Sequence, residues 1–366
     1  MSDGDKNKTD TSDSHITSLR KSIDEIDEKI LDLINKRLLF AKQIGKIKDR
    51  KNEKILDTAR ESSIINRLLA LNKGPLSENN LHHVFTEIIA LSREVQKKEI
   101  VTYLGPEATF THLAAMNHFG HTVSFIQQPS IRDIFGEAEK GACTYGVVPV
   151  ENSIEGTVNY TLDLFFESDL KICAEIYYKI SHDLLSKADG LKNIKTVYSH
   201  PHAFAQCRRW IETHLPEAIL EQCSSTARAA QKASKNADSA AIAGREAADI
   251  YDLDIIASRI EDFTRNITRF LVIGQDDMHR TGKDKTSIMF VTPHAPGALH
   301  KALEPIAKAG INMVKLESRP TKYENWNYFF FVDIEGHIED PNVNETIERM
   351  KKICMYIKWL GSYPRV

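Results

Sequence analysis

A charged residue stands where a helical heptad calls for an apolar one, and that misplacement constrains the N-terminal region more than any other feature. From Leu19 the apolar positions run Leu19, Ile23, Ile26, Ile30 and Leu33, then Arg37, then Phe40, Ile44 and Ile47. This 3-4 spacing is the stripe by which an amphipathic helix packs on its neighbours. Arg37 interrupts it at an inward position, and Lys48 follows Ile47 directly. Each residue advances about 100° around a helix, so Arg37 and Lys48 face nearly the same way. Burying a lone cation is costly. Two along one seam call for an anion, supplied by the chain or by a substrate.

The interruptions recur on two further helices. Asp57, Arg60 and Glu61 stand at i, i+3 and i+4, and the apolar stripe continues through Ile64, Leu68 and Leu71. A third helix carries Phe85, Ile88 and Ile89 on a face that continues into Ser92 and Gln96. Polar groups from three helices thus converge on one internal position, as in bundle binding sites. A self-contained salt-bridge network is the competing reading. Cations outnumber carboxylates in the set, which leaves room for an anionic ligand.

At 366 residues the chain has length for two or three domains. Its net charge of −3 gives no general attraction to nucleic acid or anionic membranes. Acidic residues interleave the Lys-rich first helix, which argues against a nucleic-acid arm. No apolar run is long enough for a membrane span, and the polar N-terminus lacks a signal-peptide core. Five scattered cysteines (Cys143, Cys173, Cys207, Cys223, Cys354) form no C-x-x-C pair. They argue against a disulfide framework or a zinc site and for the reducing cytoplasm. The adjacent His82-His83 cannot share one helix face, so neither a metal nor a cofactor is expected.

Residues 1–15, mostly Ser, Asp, Lys and Thr, read as a disordered leader. Residues 16–98 read as all-helical: a long first helix, a second over Asp57 to Asn72, a Gly74-Pro75 break, and a third from an N-cap at Ser77. Residues 100–275 have an α/β texture, with strands expected at Ile100–Tyr103, Tyr145–Pro149, Thr196–Tyr198 and Phe270–Ile273. Gln275–Lys285 reads as a linker. Residues 286–366 read as βαββαβ, the ferredoxin-like α+β unit.

The helical series Leu19-Arg20, Asp27, Arg37, Lys48, then Asp57-x-x-Arg60-Glu61, then Ser92-x-x-x-Gln96 resembles the all-helical chorismate mutase domain over the whole of residues 16–98. The resemblance implies that Arg20, Arg37 and Arg60 hold the two carboxylates of chorismate. It sets Lys48 and Gln96 on the ether oxygen, Asp57 and Glu61 on the ring hydroxyl, and Ser92 on a carboxylate. The chemistry agrees: the Claisen rearrangement needs no nucleophile, acid or base, only a clamped conformer and donors where oxygen gains charge. Arg20 is rotated roughly 80–100° from the Arg37/Lys48 face. The family's arrangement, in which this arginine enters the partner's site of an intertwined homodimer, accommodates that rotation.

In the middle region, Gly105-Pro106-Glu107-Ala108-Thr109-Phe110, Val148-Pro149-Val150-Glu151-Asn152-Ser153 through Thr157, Ser199-His200-Pro201, Ser225-Thr226 and Asn266-Ile267-Thr268-Arg269-Phe270 each follow a strand-like run. Open α/β sheets place ligand sites there. Their joint order resembles prephenate dehydratase, whose two α/β lobes enclose a cleft. The resemblance implies that Thr268 helps the substrate hydroxyl leave and that Arg269 engages a carboxylate or holds the cleft. Asn152, Ser153 and Thr157 would be pocket donors. Departures from the family pattern are Ala108 where Gly is usual, His202 where Gln is usual, and Phe263-Thr264-Arg265 in the approach to Asn266.

In the tail, Pro296-Gly297-Ala298-Leu299 opens a helix and Glu317-Ser318-Arg319-Pro320 ends a strand. Within a βαββαβ unit they resemble the ACT domain fused to prephenate dehydratases, which implies phenylalanine bound between two such domains. His300 is expected to face away or only modulate affinity. The combined expectation is a cofactor-free bifunctional enzyme converting chorismate through prephenate to phenylpyruvate under phenylalanine inhibition. The alternative is a monofunctional dehydratase whose helical domain only dimerises.

Overall fold

The structure, a computed structural model, describes the backbone of residues 7–51, 58–320 and 328–366. Its N-terminal part is three helices, α1 (Asn7–Lys51), α2 (Thr58–Leu71) and α3 (Glu78–Glu94). α1 starts at Asn7, inside the stretch read as a leader. Once the amphipathic segment has nucleated a helix, each added residue gains a hydrogen bond, so polar sequence extends it backwards. Ser77 caps α3 by accepting from the Asn80 N–H at 3.2 Å. α1 and α2 both pack on α3, burying Ala41, Ile65, Leu81, Ile89 and Ala90. The stripe on α1 stays largely uncovered: Leu19, Ile23, Ile26, Ile30 and Leu33 are 48–63% exposed. A helix of this length spans about 68 Å, far more than α2 and α3 can cover.

The middle part runs β1 (Ile100–Leu104), α4 (Phe110–Phe119), β2 (Ser124–Gln128), α5 (Ile131–Glu139), β3 (Tyr145–Asn152), β4 (Gly156–Thr157), α6 (Asn159–Glu167) and β5 (Lys171–Lys179) through a first lobe. It continues through β6 (Asp183–Ser186), β7 (Thr196–Ser199), α7 (Pro201–Gln206), α8 (Arg208–His214), β8 (Ile219–Gln222), α9 (Thr226–Ala233), β9 (Ser239–Ala243), α10 (Glu246–Tyr251) and β10 (Asp254–Ala257) in a second. β11 (Ile267–Gly274) then returns to the first lobe, and the sheet orders are β2-β1-β3-β11-β5 and β10-β6-β9-β7-β8. β11 lies antiparallel between β3 and β5. Two crossings therefore join the lobes, and the chain ends of β3 and β11 meet where they face each other. Central strands such as Ser239–Ala243 are buried throughout, as sheets covered on both faces require.

The last part is β12 (Asp284–Val291), α11 (Ala298–Lys308), β13 (Met313–Pro320), β14 (Tyr328–Glu335), α12 (Pro341–Lys351) and β15 (Tyr356–Pro364), in sheet order β13-β14-β12-β15. This is the split βαβ order read from the sequence. β12 begins at Asp284, inside the expected linker, because Lys285 is a buried strand residue with a partner in the first lobe. Side chains alternate along the strands. Ile288, Phe290 and Val332 pack under α11 and α12, whereas Met289, Phe331, Leu360 and Tyr363 join the core of the first lobe with Ile172 and Leu271. At Gly361, with φ +146°, a Cβ would stand 2.4 Å from the Ile172 carbonyl oxygen, so only glycine lets β15 lie this close to β5. Among the described residues no helix is long and apolar enough to cross a membrane, and the five cysteines are free thiols.

Candidate active sites

In the helical part the structure joins α1 to α3 through Arg37. Its Nη1 donates to the Ile88 carbonyl oxygen at 3.0 Å and to Ser92 Oγ. Gln96 follows one turn on, with Nε2 on the Ser92 carbonyl at 2.8 Å, while its Oε1 is shielded from solvent without a partner among the described residues. Burial lowers the pKa of Arg37, against an opposing pull from Glu61. Among the described residues, the oxygens that accept from Arg37 are neutral. Lys48 is half-buried on α1, and Arg60 is exposed on the first turn of α2. Arg20 is exposed and lies roughly 25 Å along α1 from Arg37, out of reach of this site within one chain. Asp57 lies outside the described residues.

Glu61 has a partner that the sequence reading missed. Arg93 Nη1 lies 2.7 Å from both Glu61 oxygens, and Nη2 donates to the Phe119 carbonyl at 2.7 Å. Glu99 stands 3.2 Å from Arg93 Nε, an ion pair without hydrogen-bond alignment. Burial works against the charge on Arg93, but Glu61 and Glu99 outweigh it and the pKa rises. Burial raises that of Glu99 despite Arg93. The signal was available: Arg93 stands four residues after Ile89 and so interrupts an apolar stripe, as Arg37 does on α1.

Between the two lobes lies a cleft of about 840 Å³. Asn152 and Thr268, opposite one another in the β3–β11 ladder, stand on its wall. Asn152 Nδ2 donates to Thr268 Oγ1 at 2.8 Å and to Asn266 Oδ1 at 2.7 Å, while its Oδ1 accepts from the Ile154 and Glu155 N–H groups at 2.9 and 3.0 Å. Asn266 in turn donates to Gln206 Oε1 at 2.8 Å, and His182 Nε2 lies 3.0 Å from the same oxygen. Because that oxygen can only accept, His182 Nε2 carries the proton. Its Nδ1 is left without a partner, and burial lowers its pKa, so the ring is neutral. The chain of bonds leaves Thr268 as acceptor from Asn152, with its own O–H proton still to give. Thr268 is a poised donor.

Among the described residues the cleft wall carries no Arg or Lys, and its titratable side chains are Glu155, His182, His200 and His202. Helix N-termini open onto the wall instead. Thr109 caps α4 and Ser225 caps α9, both on the wall, and α6 and the short α7 start there too. N–H groups at such helix ends can receive anions. His202 Nε2 reaches across from the second lobe to within 3.8 Å of Glu155 on the first. Ala108 lies just before α4 with φ +65°, the left-handed region that explains why glycine is usual there.

Three expected dehydratase residues, Asn152, Thr157 and Thr268, line the cleft; two do not. Ser153 donates to the Arg265 carbonyl at 3.2 Å and accepts from the Ile267 N–H at 3.0 Å, so it fixes the approach to β11. Arg269 points to the opposite face, because neighbours on a strand alternate. Its guanidinium engages carboxylates of the protein itself, Glu175 at 2.9 Å and Asp333 at 2.7 Å. The same alternation places Asn266 beside Thr268, a signal open to sequence reading. Nothing comparable marks Gln206 or His182.

In the C-terminal part a pocket of about 240 Å³ is lined by Gly297, Ala298, Leu299, His300, Tyr328 and Phe330, among others. His300 faces this pocket rather than away. Glu317, Ser318, Arg319 and Pro320 lie on edge strand β13, outside its lining. Arg319 stands 3.4 Å from Asp163, and its Nε has no partner among the described residues.

Fold and sites together define a multidomain small-molecule enzyme with two separate polar sites and an appended ligand-binding domain. Three family models match successive stretches: chorismate mutase type II over residues 19–97, prephenate dehydratase over 101–278 and the ACT domain over 286–351. A bifunctional chorismate mutase/prephenate dehydratase of Aquifex aeolicus (strain VF5) is 47% identical over 354 residues, covering 96% of this chain and 98% of its own. The crystal structure of a prephenate dehydratase from Arthrobacter aurescens in complex with L-Phe covers 73% of this chain and 90% of its own at 34% identity and TM-score 0.68. A structure described as a novel type of quorum quenching acylase covers 73% of this chain and 98% of its own at 26% identity and TM-score 0.66. The shared fold alone therefore leaves the chemistry to the site. The chain belongs to the bifunctional chorismate mutase/prephenate dehydratase family.

Proposed function

We propose that this chain rearranges chorismate to prephenate in its helical domain and converts prephenate to phenylpyruvate in its cleft, with phenylalanine as inhibitor. In the first step the ether C–O bond breaks as a C–C bond forms, and negative charge gathers on the oxygen. Lys48 and the second N–H of Gln96 are the donors for that oxygen. Arg37 and Arg60 hold carboxylates, Ser92 assists one of them, and Asp57 and Glu61 take the ring hydroxyl. Arg20 comes from a second copy. The exposed stripe on α1 supports such a homodimer, since each chain leaves its Leu and Ile side chains for a partner to cover.

In the second step the bond to the ring carboxylate breaks, its electron pair aromatises the ring, and the C–O bond opposite breaks. Thr268 donates to the departing oxygen, which leaves as water on gaining a proton. Helix N-termini and Thr157 receive the carboxylates. Thr268 Oγ1 held by Asn152 at 2.8 Å, with its proton uncommitted, carries this reading. Phenylalanine binds at Gly297, Ala298 and Leu299, where the pocket is completed by Glu317, Ser318, Arg319 and Pro320 of a second copy. Free thiols support a place in the reducing cytoplasm. The test is incubation with chorismate, following its loss and phenylpyruvate gain with and without phenylalanine. Prephenate accumulating without phenylpyruvate would remove the cleft assignment, and unchanged chorismate the helical one.

A further inference from the structure

The cleft-side pair has a second pair directly behind it. In the β3–β11 ladder Asn152 lies opposite Thr268, and the preceding and following residues, Glu151 and Arg269, lie opposite each other. Strand alternation sends this second pair to the back of the sheet. There the C-terminal sheet presents a matching pair, for Lys315 on β13 lies opposite Asp333 on β14. The pairs meet charge to charge: Lys315 to Glu151 at 2.6 Å and Arg269 to Asp333 at 2.7 Å.

The Arg269 side of the contact is buried and over-determined, while the Glu151 side chain is 40% exposed. Arg269, Asp333 and Glu175 are at most 4% exposed. Arg269 also donates to Glu175 at 2.9 Å and to the Tyr363 hydroxyl at 2.9 Å, and Lys285 neutralises Glu175 at 2.7 Å. With two cations and two carboxylates around Arg269 the charges balance, which is the condition for holding them out of water. Phe330 and Tyr328, which line the small C-terminal pocket, belong to the same strand as Asp333.

We propose that Glu151 and Arg269 are positioning residues for the dehydratase, anchored on Lys315 and Asp333 so that the seat of the C-terminal domain sets the donor geometry of Thr268 and Asn152. This rests on the dehydratase reading given above. A shift of β13 and β14 on effector binding then reaches the leaving-group donor by pulling on its immediate chain neighbours.

The test uses the full chain and measures dehydratase kcat and KM, with mutase turnover as a folding control. Lys315→Met and Arg269→Lys are expected to lower kcat by about 5- to 50-fold while KM stays within about 2-fold, since small misplacements of a donor act on the chemical step. The reversed pair Glu151→Lys with Lys315→Glu is expected to recover most of what Glu151→Lys loses. Unchanged kcat in Lys315→Met, no recovery in the reversed pair, or a parallel fall in mutase turnover would overturn the proposal. In Lys315→Met, phenylalanine that binds by calorimetry but inhibits less puts the contact on the regulatory path. A wild-type chain that phenylalanine does not inhibit removes the regulatory reading alone, and the kcat comparison still decides positioning. A cleft without dehydratase turnover in the wild type overturns both.

Discussion

Gly45 on α1 stands so close to Gln96 that a Cβ there would lie 2.8 Å from Gln96 Cγ and 3.0 Å from its Cα. The nearest obstacle includes backbone, so the neighbour cannot simply rotate away. Gln96 holds the Ser92 carbonyl, and Ser92 holds Arg37, so one glycine sets the spacing of three site residues.

Gly45→Ala is therefore expected to reduce mutase kcat/KM about 10- to 100-fold by misplacing donors rather than removing them. Dehydratase turnover on added prephenate should stay within about 2-fold, because the cleft lies in another domain. Separate assays on chorismate and on prephenate check this. A mutase unaffected by the methyl group would show that Gln96 takes no part in the chemistry.

Arg93→Met tests the buried arginine that joins Glu61 to Glu99. The change leaves two carboxylates in one buried pocket without their cation, and such losses cost about 3–5 kcal/mol. The expected result is a lower denaturant midpoint for the helical domain, read by loss of the helical circular-dichroism signal. Adding Glu61→Gln and Glu99→Gln to the variant should restore a large part of the loss. If Arg93→Met alone is as stable as the wild type, the pocket is open to water.

How far the sequence could be read depends on periodicity. Arg37 in the α1 stripe, the two helices after it and the βαββαβ tail follow from 3.6- and 2-residue periods, and each is where those periods put it. Arg269 marks the limit, because adjacency to Thr268 reads as sharing a site although strand geometry separates neighbours. Ser153 failed for a similar reason, lying just past β3 with its bonds turned to backbone. His182 and Gln206 enter the site only through the crossing between lobes, a long-range placement that no local pattern encodes. The uncovered face of α1 shows that a stripe announces burial without saying which molecule supplies it.

His182 gives the cleft a pH dependence with a definite sign. Burial holds its folded pKa below the usual value, with the Gln206 bond and nearby Glu261 opposing. The unfolded ring thus takes a proton first, at about pH 6.5. Stability is complete above that pH and falls as the pH drops towards the folded pKa. His182→Gln, which keeps a donor for Gln206, removes the titration. The wild type should lose more stability than this variant between pH 7.5 and 5.5 in urea titrations. Parallel losses would mean that the ring is solvated.

The direction of the Asn152–Thr268 bond can be reversed. Asn152→Asp replaces the donor by a carboxylate that accepts the Thr268 proton and withholds it from the departing oxygen. Dehydratase kcat is expected to fall about 100-fold or more, as it does for Thr268→Ala, in line with the usual worth of a positioned proton donor. Thr268→Ser keeps the hydroxyl and should retain much of the activity. Equal rates for Thr268→Ala and the wild type would assign the donor role elsewhere.

Phenylalanine sensitivity and cleft integrity should separate by the kind of change made to the C-terminal domain. Leu360, Tyr363, Met289 and Phe331 share a core with the first lobe, and Arg269 depends on Asp333 for charge balance. Removing residues 284–366 would bare that core and open the buried Arg269–Glu175 pair to water, so the truncated chain is expected to lose dehydratase activity along with solubility. Gly297 sits instead at the pocket's edge with φ +74°, where a Cβ meets open space. Gly297→Val narrows the pocket and strains the left-handed turn by about 1–2 kcal/mol, without touching the shared core. Phenylalanine should then inhibit at about 10-fold higher concentration or more, measured against each variant's own uninhibited rate. A truncated chain that stays soluble and fully active would mean that the cleft does not need the domain behind it.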